Sequence, residues 1–232
     1  MVGVGLARNS GLVAAFALVG RSGAFLTQFK NAPRSFTRIR HLRMSSADST
    51  KRVLVPIGDG SEEIETTCVT DTLTRFGAQV VVASVMPDLL CTMSRGIKVM
   101  ADVSIEDAAK EDWDLVALPG GMPGAEHLRD CEPLVGLLKK QNAEGKLYGA
   151  VCASPAVVLG SHGLAPEGVT CYPAPVFRDV LSNPVDDQVV VKGNLITSKG
   201  PGTSLKFALS LGEQLFGKEK ADEIASQMLV ER

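Results

Sequence analysis

One cysteine stands where chemistry is expected. In "KLYGAVCASPAVVLGSHG" (146–163) a short apolar run leads straight into Cys152, and a helical pattern begins at Ala153. A thiol at that junction meets the free amide N–H groups and the dipole of a helix start, which favour an anion and lower a cysteine pKa. Small neighbours (Gly149, Ala150, Ala153 and Ser154) let other segments approach closely. The pattern is that of a nucleophile elbow, although a small buried residue at a crossover has the same spacing. Glu65 in "GSEEIE" is the second candidate, one turn into the first helix and one residue past Ile64, which is expected to face the core. An ionised Glu65 would repel a thiolate. Buried and protonated, it would instead donate a hydrogen bond to the sulfur, because desolvation raises a carboxyl pKa. The plainer reading is a solvated helix-face carboxylate, as for Glu62 and Glu63. The Gly120–Gly121 pair of "LPGG" can offer backbone N–H donors to an oxyanion. "GPGTS" lacks the GxxxxGK[ST] phosphate-loop pattern and reads as a helix cap.

These residues need a scaffold, and the chain supplies alternating strand and helix signals. "RVLVPI" (52–57) is β-rich and ends in "GDGSEE", where Asp59 or Ser61 is expected to cap a helix, Asp59 forming a capping box with Glu62. Ile64, Cys68, Val69, Leu73 and Phe76 recur at helical spacing until Gly77. "AQVVVASV" (78–85) is a second strand, and 88–103 holds two extended pieces around Ser94-Arg95-Gly96. "DLVALPGG" (114–121) is a strand closing on glycines, followed by helical patterns at 124–130 and 133–143. "KLYGAV" is a strand, a helix starts at Ala153, and 188–198 is a β pair split at Lys192-Gly193-Asn194. Helices over 200–217 and 218–229 complete the chain. Strands that are apolar throughout, separated by helices, indicate a mainly parallel sheet covered on both faces. Ligands collect at the carboxyl ends of such strands, where "GDGSEEIE", "LPGGMPG", "VCASPA" and "TSKGPGTS" all fall.

Composition agrees with one α/β domain over 51–232: 45% of residues are hydrophobic and 22% charged, ample for a core. No run approaches the ~18 apolar residues of a membrane span. Residues 1–47 carry seven basic side chains and no acid, whereas the rest carries 17 basic and 26 acidic ones. Residues 1–50 therefore read as a targeting presequence. A mitochondrial address is the simplest, a plastid signal built on "GLVAAFALVG" the rival, and a disordered tail, or an upstream extension with a cytosolic start at Met44, the bland alternatives. An acidic body argues against a nucleic-acid partner. The five cysteines (Cys68, Cys91, Cys131, Cys152 and Cys171) show no CxxC and no zinc spacing with His, so a metal site is not expected.

In this order and spacing, "GSEEIE", "SRG", "LPGG", "VCASPA" and "TSKGPGTS" resemble the DJ-one/ThiJ/PfpI superfamily. Within it, the chain resembles the small branch that holds the Parkinson-linked human protein and its bacterial homologue. The resemblance covers about 51–230 and implies a flavodoxin-like (Rossmann-like) three-layer sandwich, a homodimer, and no cofactor. It implies that Cys152 is a reactive, easily oxidised nucleophile and that Glu65 is the protonated carboxyl contacting it. By the same resemblance, the amides of Gly121 and Ala153 face the reacting oxygen, Gly120 and Tyr172 are possible substrate contacts, and Arg95 and Asp71 lie near the dimer contact. The implied activity is glyoxalase or deglycase chemistry on methylglyoxal-type 2-oxoaldehydes or their glycated adducts. Redox sensing, or chaperoning of client proteins, is the non-enzymatic alternative. One departure matters: where glyoxalase-active members tend to carry a histidine, "VTCYPAP" places Tyr172, a poor base at neutral pH. His162, ten residues beyond Cys152, lies too far along a continuous helix to replace it, and His127 matches no catalytic position.

Overall fold

The computed structural model describes residues 50–231; the expected targeting segment lies outside them apart from its last residue. The chain runs through β1 (Arg52–Ile57), α1 (Glu63–Arg75) and β2 (Gln79–Ser84), then a small hairpin of β3 (Leu90–Thr92) and β4 (Lys98–Met100). Next come β5 (Val103–Ser104), α2 (Ile105–Ala108), β6 (Leu115–Leu118), α3 (Gly124–Arg129), α4 (Glu132–Ala143) and β7 (Leu147–Val151). An irregular helical stretch, π-helical over Pro155–Leu159 and 3-10 over Gly160–His162, follows Cys152. The remainder is α5 (Pro175–Arg178), the pair β8 (Val189–Lys192) and β9 (Leu195–Ser198), then α6 (Ser204–Phe216) and α7 (Lys218–Gln227).

Seven strands form one sheet in the order β5-β2-β1-β6-β7-β9-β8, parallel except for the antiparallel β8–β9 pair. The strands β1, β6, β7 and β9 bury both faces, which is why their sequences are largely apolar rather than alternating. In β1, Val53, Val55 and Ile57 join Leu73, Phe76, Phe207, Leu211 and Ile224 on the α1/α6/α7 side. Leu54 points the other way, into a core with Leu128, Leu134, Leu138 and Leu159. Side chains of this kind, fully buried, stabilise the fold by roughly 1.5–3 kcal/mol each. Among the described residues no helix is long and apolar enough to cross a membrane.

From β1 the chain moves outward to β2 and β5, then returns to place β6 on the opposite side of β1. That reversal opens a crevice at the carboxyl ends of β1 and β6, and the end of β7 lies beside it. Two expectations fail at α1. Its N-cap is Glu62, whose Oε2 accepts the Glu65 N–H at 2.8 Å. Asp59 instead accepts the Thr92 N–H, and Ser61 Oγ accepts the Gly58 N–H. The apolar stripe is also rotated: Ile64 is 52% exposed, while Glu65 is fully buried. Counting back four residues from the buried Val69 leads to Glu65, so the core-facing row runs through the carboxylate.

Candidate active site

Cys152 leaves β7 with φ 64°, a left-handed conformation that residues with a Cβ adopt rarely. Two cross-chain bonds hold it there. Its N–H donates to the Ser198 carbonyl at 3.0 Å, and its carbonyl accepts the Tyr172 N–H at 2.8 Å. The thiol lines a cleft of about 380 Å³ with Glu62, Ser94, Arg95, Gly121, Met122, Ala153, Tyr172, Phe177 and Pro201. The backbone N–H groups of Gly121 and Ala153 face the sulfur.

The turn after β6 can approach this closely only because it lacks side chains. A Cβ on Gly120 would lie 2.6 Å from the Cys152 Cβ and 2.9 Å from the Ala153 nitrogen. A Cβ on Gly121, whose φ is 86°, would lie 2.3 Å from the Gly60 carbonyl oxygen. Ser154 anchors the elbow from behind through its hydroxyl, which donates to the Pro119 carbonyl.

Glu65 reaches this junction from α1. Its Oε2 accepts the Gly120 N–H at 2.7 Å, whereas Oε1 is buried without a hydrogen-bond partner. The carboxyl nonetheless interacts with the Cys152 thiol. Burial pushes the Glu65 pKa up to about 7, against the lowering effect of the Gly120 amide. The thiol is not lowered as the helix-terminus argument suggests; it is pushed up to about 12. Burial is the main cause and the Glu65 charge the next, and together they outweigh the Gly121 and Ala153 amides. The two groups form a pair that gives up one proton readily and resists giving up a second. A thiolate therefore arises by handing the proton to Glu65, which removes the repelling charge.

The other expected residues are divided by the structure. Tyr172 lies on the cleft wall, 43% exposed, with its ring edge-on to Phe177 at a centroid distance of 6.2 Å. Both backbone polar groups of Gly120 are engaged within the protein: its N–H donates to Glu65 and its carbonyl accepts the Glu62 N–H at 3.0 Å. Arg95, expected near a dimer contact, lines the cleft, and its guanidinium donates to the Ser94 carbonyl. Asp71 sits on the exposed face of α1, paired with Arg75 at 2.8 Å. His162 Nε2 lies 2.9 Å from the Arg129 carbonyl oxygen, and neither His162 nor His127 lines the cleft.

Glu62 and Glu63, expected from the sequence to be solvated, are buried. Glu63 accepts the Ser94 hydroxyl at 2.7 Å and the Arg95 N–H at 2.8 Å, tying the hairpin to the start of α1. Burial raises its carboxyl pKa, but these bonds prevail and hold it below the usual range. A signal for this is present in the sequence: three glutamates within four residues, close after a strand end, exceed what one cap requires.

Comparison with known proteins identifies the family and the fold. A profile of the DJ-1/PfpI family matches residues 51–214. Protein DJ-1 homolog B of Arabidopsis thaliana is 45% identical over 186 residues, 80% of this chain and 42% of that one; the chain thus spans less than half of that relative's length. Glutathione-independent glyoxalase DJR-1.2 of Caenorhabditis elegans is 38% identical over 77% of this chain and 95% of its own. The solved structure of oxidized Toxoplasma gondii DJ-1 superposes with a TM-score of 0.75 at 45% identity, covering 79% of this chain and all of that one.

Proposed function

The chain belongs to the DJ-1/PfpI family, and we propose that it is a cysteine-dependent, cofactor-independent glyoxalase or deglycase acting on methylglyoxal-type 2-oxoaldehydes or their adducts. The observation that carries this reading is the meeting of three groups. A strained cysteine has its sulfur between two backbone amides and faces a buried carboxyl able to take its proton. In this mechanism Glu65 accepts the thiol proton and the Cys152 thiolate adds to the aldehyde carbon. The Gly121 and Ala153 amides hold the oxyanion, which takes the proton back from Glu65 to give a hemithioacetal. Glu65 then removes the C1 hydrogen as a proton and returns it to C2, while the C1 hydroxyl proton passes to the C2 oxygen. C1 is thereby oxidised to a thioester and C2 reduced to an alcohol. Water hydrolyses the thioester, releasing lactate and the free thiol, so the net change is addition of one water. The relative named a glutathione-independent glyoxalase supports this reading.

A second reading, a redox sensor or chaperone, is favoured by Tyr172, which brings no base to the cleft wall. Peroxide would transfer one oxygen to the Cys152 thiolate and leave as hydroxide, and a second peroxide would give the sulfinate. A homodimer is part of both readings: Ile64 is exposed on the helix that carries Asp71, and Ile97 and Met100 are exposed on the β3–β4 hairpin, whose loop holds Arg95. The acid-free basic segment is read as a mitochondrial address, with plastid or cytosolic residence as the outcomes that would overturn it in a fluorescent fusion of residues 1–50.

The deciding experiment is lactate formation from methylglyoxal by the full chain and its Cys152→Ala, Glu65→Gln and Tyr172→His variants. Turnover by wild type that disappears in the first two upholds the enzyme. A silent wild type that gains activity on Tyr172→His sinks it and leaves the sensor. The sensor in turn requires that mild peroxide add two oxygens (about 32 Da) to Cys152 before the other four thiols.

A further inference from the structure

Three hydrogen bonds close a ring around the proton acceptor. The Glu62 N–H donates to the Gly120 carbonyl at 3.0 Å. The Gly120 N–H donates to Glu65 Oε2 at 2.7 Å. The Glu65 N–H donates to Glu62 Oε2 at 2.8 Å. Glu62 thus holds both the backbone of Glu65 and the glycine that orients its side chain, and it lines the cleft itself while only 6% exposed.

We propose that Glu62 is a positioning residue whose carboxylate, acting through this ring, fixes Glu65 against the thiol and biases the shared proton toward Glu65. The inference rests on the cysteine–glutamate pair of the proposed function but not on the identity of the substrate. Its physical basis is local. A serine, threonine or aspartate would cap the helix equally well, so capping alone does not require a glutamate at this position. A charged cap next to a buried carboxyl has a further effect, because like charges close together disfavour simultaneous ionisation. Among the described residues, the groups facing Glu65 are few. They are Glu62 and Cys68 on α1, Cys152 on the elbow and the uncharged Gly120 amide after β6. Glu62 is a carboxylate that pushes Glu65 toward its protonated form. In that form the Cys152 thiolate has a neutral neighbour, and the thiolate fraction of the singly charged pair rises.

The test is the rate of Cys152 alkylation by iodoacetamide from pH 5 to 10, read by intact mass and peptide mapping on the full chain. Wild type is expected to show a step near pH 7, where the pair loses its first proton, followed by a plateau. Glu62→Gln retains an acceptor for the cap and loses the charge. It is expected to move the step down by about half a pH unit and to lower the plateau about threefold, as for loss of one nearby like charge. Glu62→Asp retains the charge and should keep the step at the wild-type position. If Glu62→Gln does not fold, Glu62→Ser supplies a neutral residue that caps well and should give the same shift. A step that stays in place in the neutral variants, or is absent from wild type, overturns the proposal. The assay needs no aldehyde, so a wild type that forms no lactate defeats the glyoxalase reading while leaving this measurement to decide about Glu62.

Discussion

The two ends of α1 place charged side chains in opposite environments. At its last turns Asp71 and Arg75 form an i,i+4 ion pair with both side chains about half exposed, while Leu73 and Phe76 pack into a dry core. At its first turn Glu62, Glu63 and Glu65 are all buried, and each acts differently. Glu62 caps the helix, Glu63 holds the Ser94–Arg95 loop, and Glu65 faces the thiol. The far end obeys the rule of apolar inside and charged outside. The near end breaks it three times within four residues and leaves one carboxyl oxygen without a partner. Burial without full satisfaction is costly, and the fold tolerates it where the proton chemistry is proposed.

The sharpest way to break this contrast is Glu65→Gln. It should reduce lactate formation at least about 100-fold, the contribution of a positioned acid–base group, yet raise Tm at pH 8. The buried carboxyl holds its proton to about pH 7, whereas an unfolded glutamate releases it near ~4.3. Stability from the protonated form is complete below the lower value and is lost as pH rises through the upper. Wild type should therefore lose on the order of 3 kcal/mol relative to Glu65→Gln across that window, measurable by urea unfolding at pH 4.5 and 8. Phe76→Ala tests the opposite end: Phe76 is buried and stacks on Phe216 at 5.6 Å. Its removal should cost about 3–4 kcal/mol and leave the pH step of Cys152 alkylation where it is.

Gly120→Ala probes the junction itself. The added Cβ meets backbone atoms of the elbow, so a loss of about 2 kcal/mol should accompany much slower Cys152 alkylation. The smallest effect belongs to Asp71→Ala, which deletes an exposed pair and should change chain stability by less than about 0.5 kcal/mol. A larger, concentration-dependent effect in light scattering would assign Asp71 to the dimer contact.

Most of the scaffold is legible in the sequence because each element announces its period and its ends. The β1, β2, β6 and β7 strands are short apolar runs, and the turn at Lys192-Gly193-Asn194 separates β8 from β9 as expected. The two-residue β5 and the four-residue α2 and α5 escape such a reading, being too short for any period to show. The helix after Cys152 is irregular where a regular one is expected: the Gly160 N–H reaches back five residues to the Pro155 carbonyl. At the site, residue type and spacing single out Cys152 and Glu65, which interact in the fold, but not Glu62 and Glu63. A carboxylate on a helix is solvated unless another segment covers it. The covering segments here, the turn after β6 and the β3–β4 hairpin, lie more than 25 residues away in the chain.

From its sequence alone this protein has an α/β scaffold, a family and a thiol at the end of a strand, because periodicity, turn residues and motif order are local properties. The tertiary structure alone decided which carboxylates are buried, that Gly120 serves Glu65, and that the thiol and carboxyl pKa values rise together. Those outcomes depend on desolvation and on distances between segments remote in the chain, which no local pattern records.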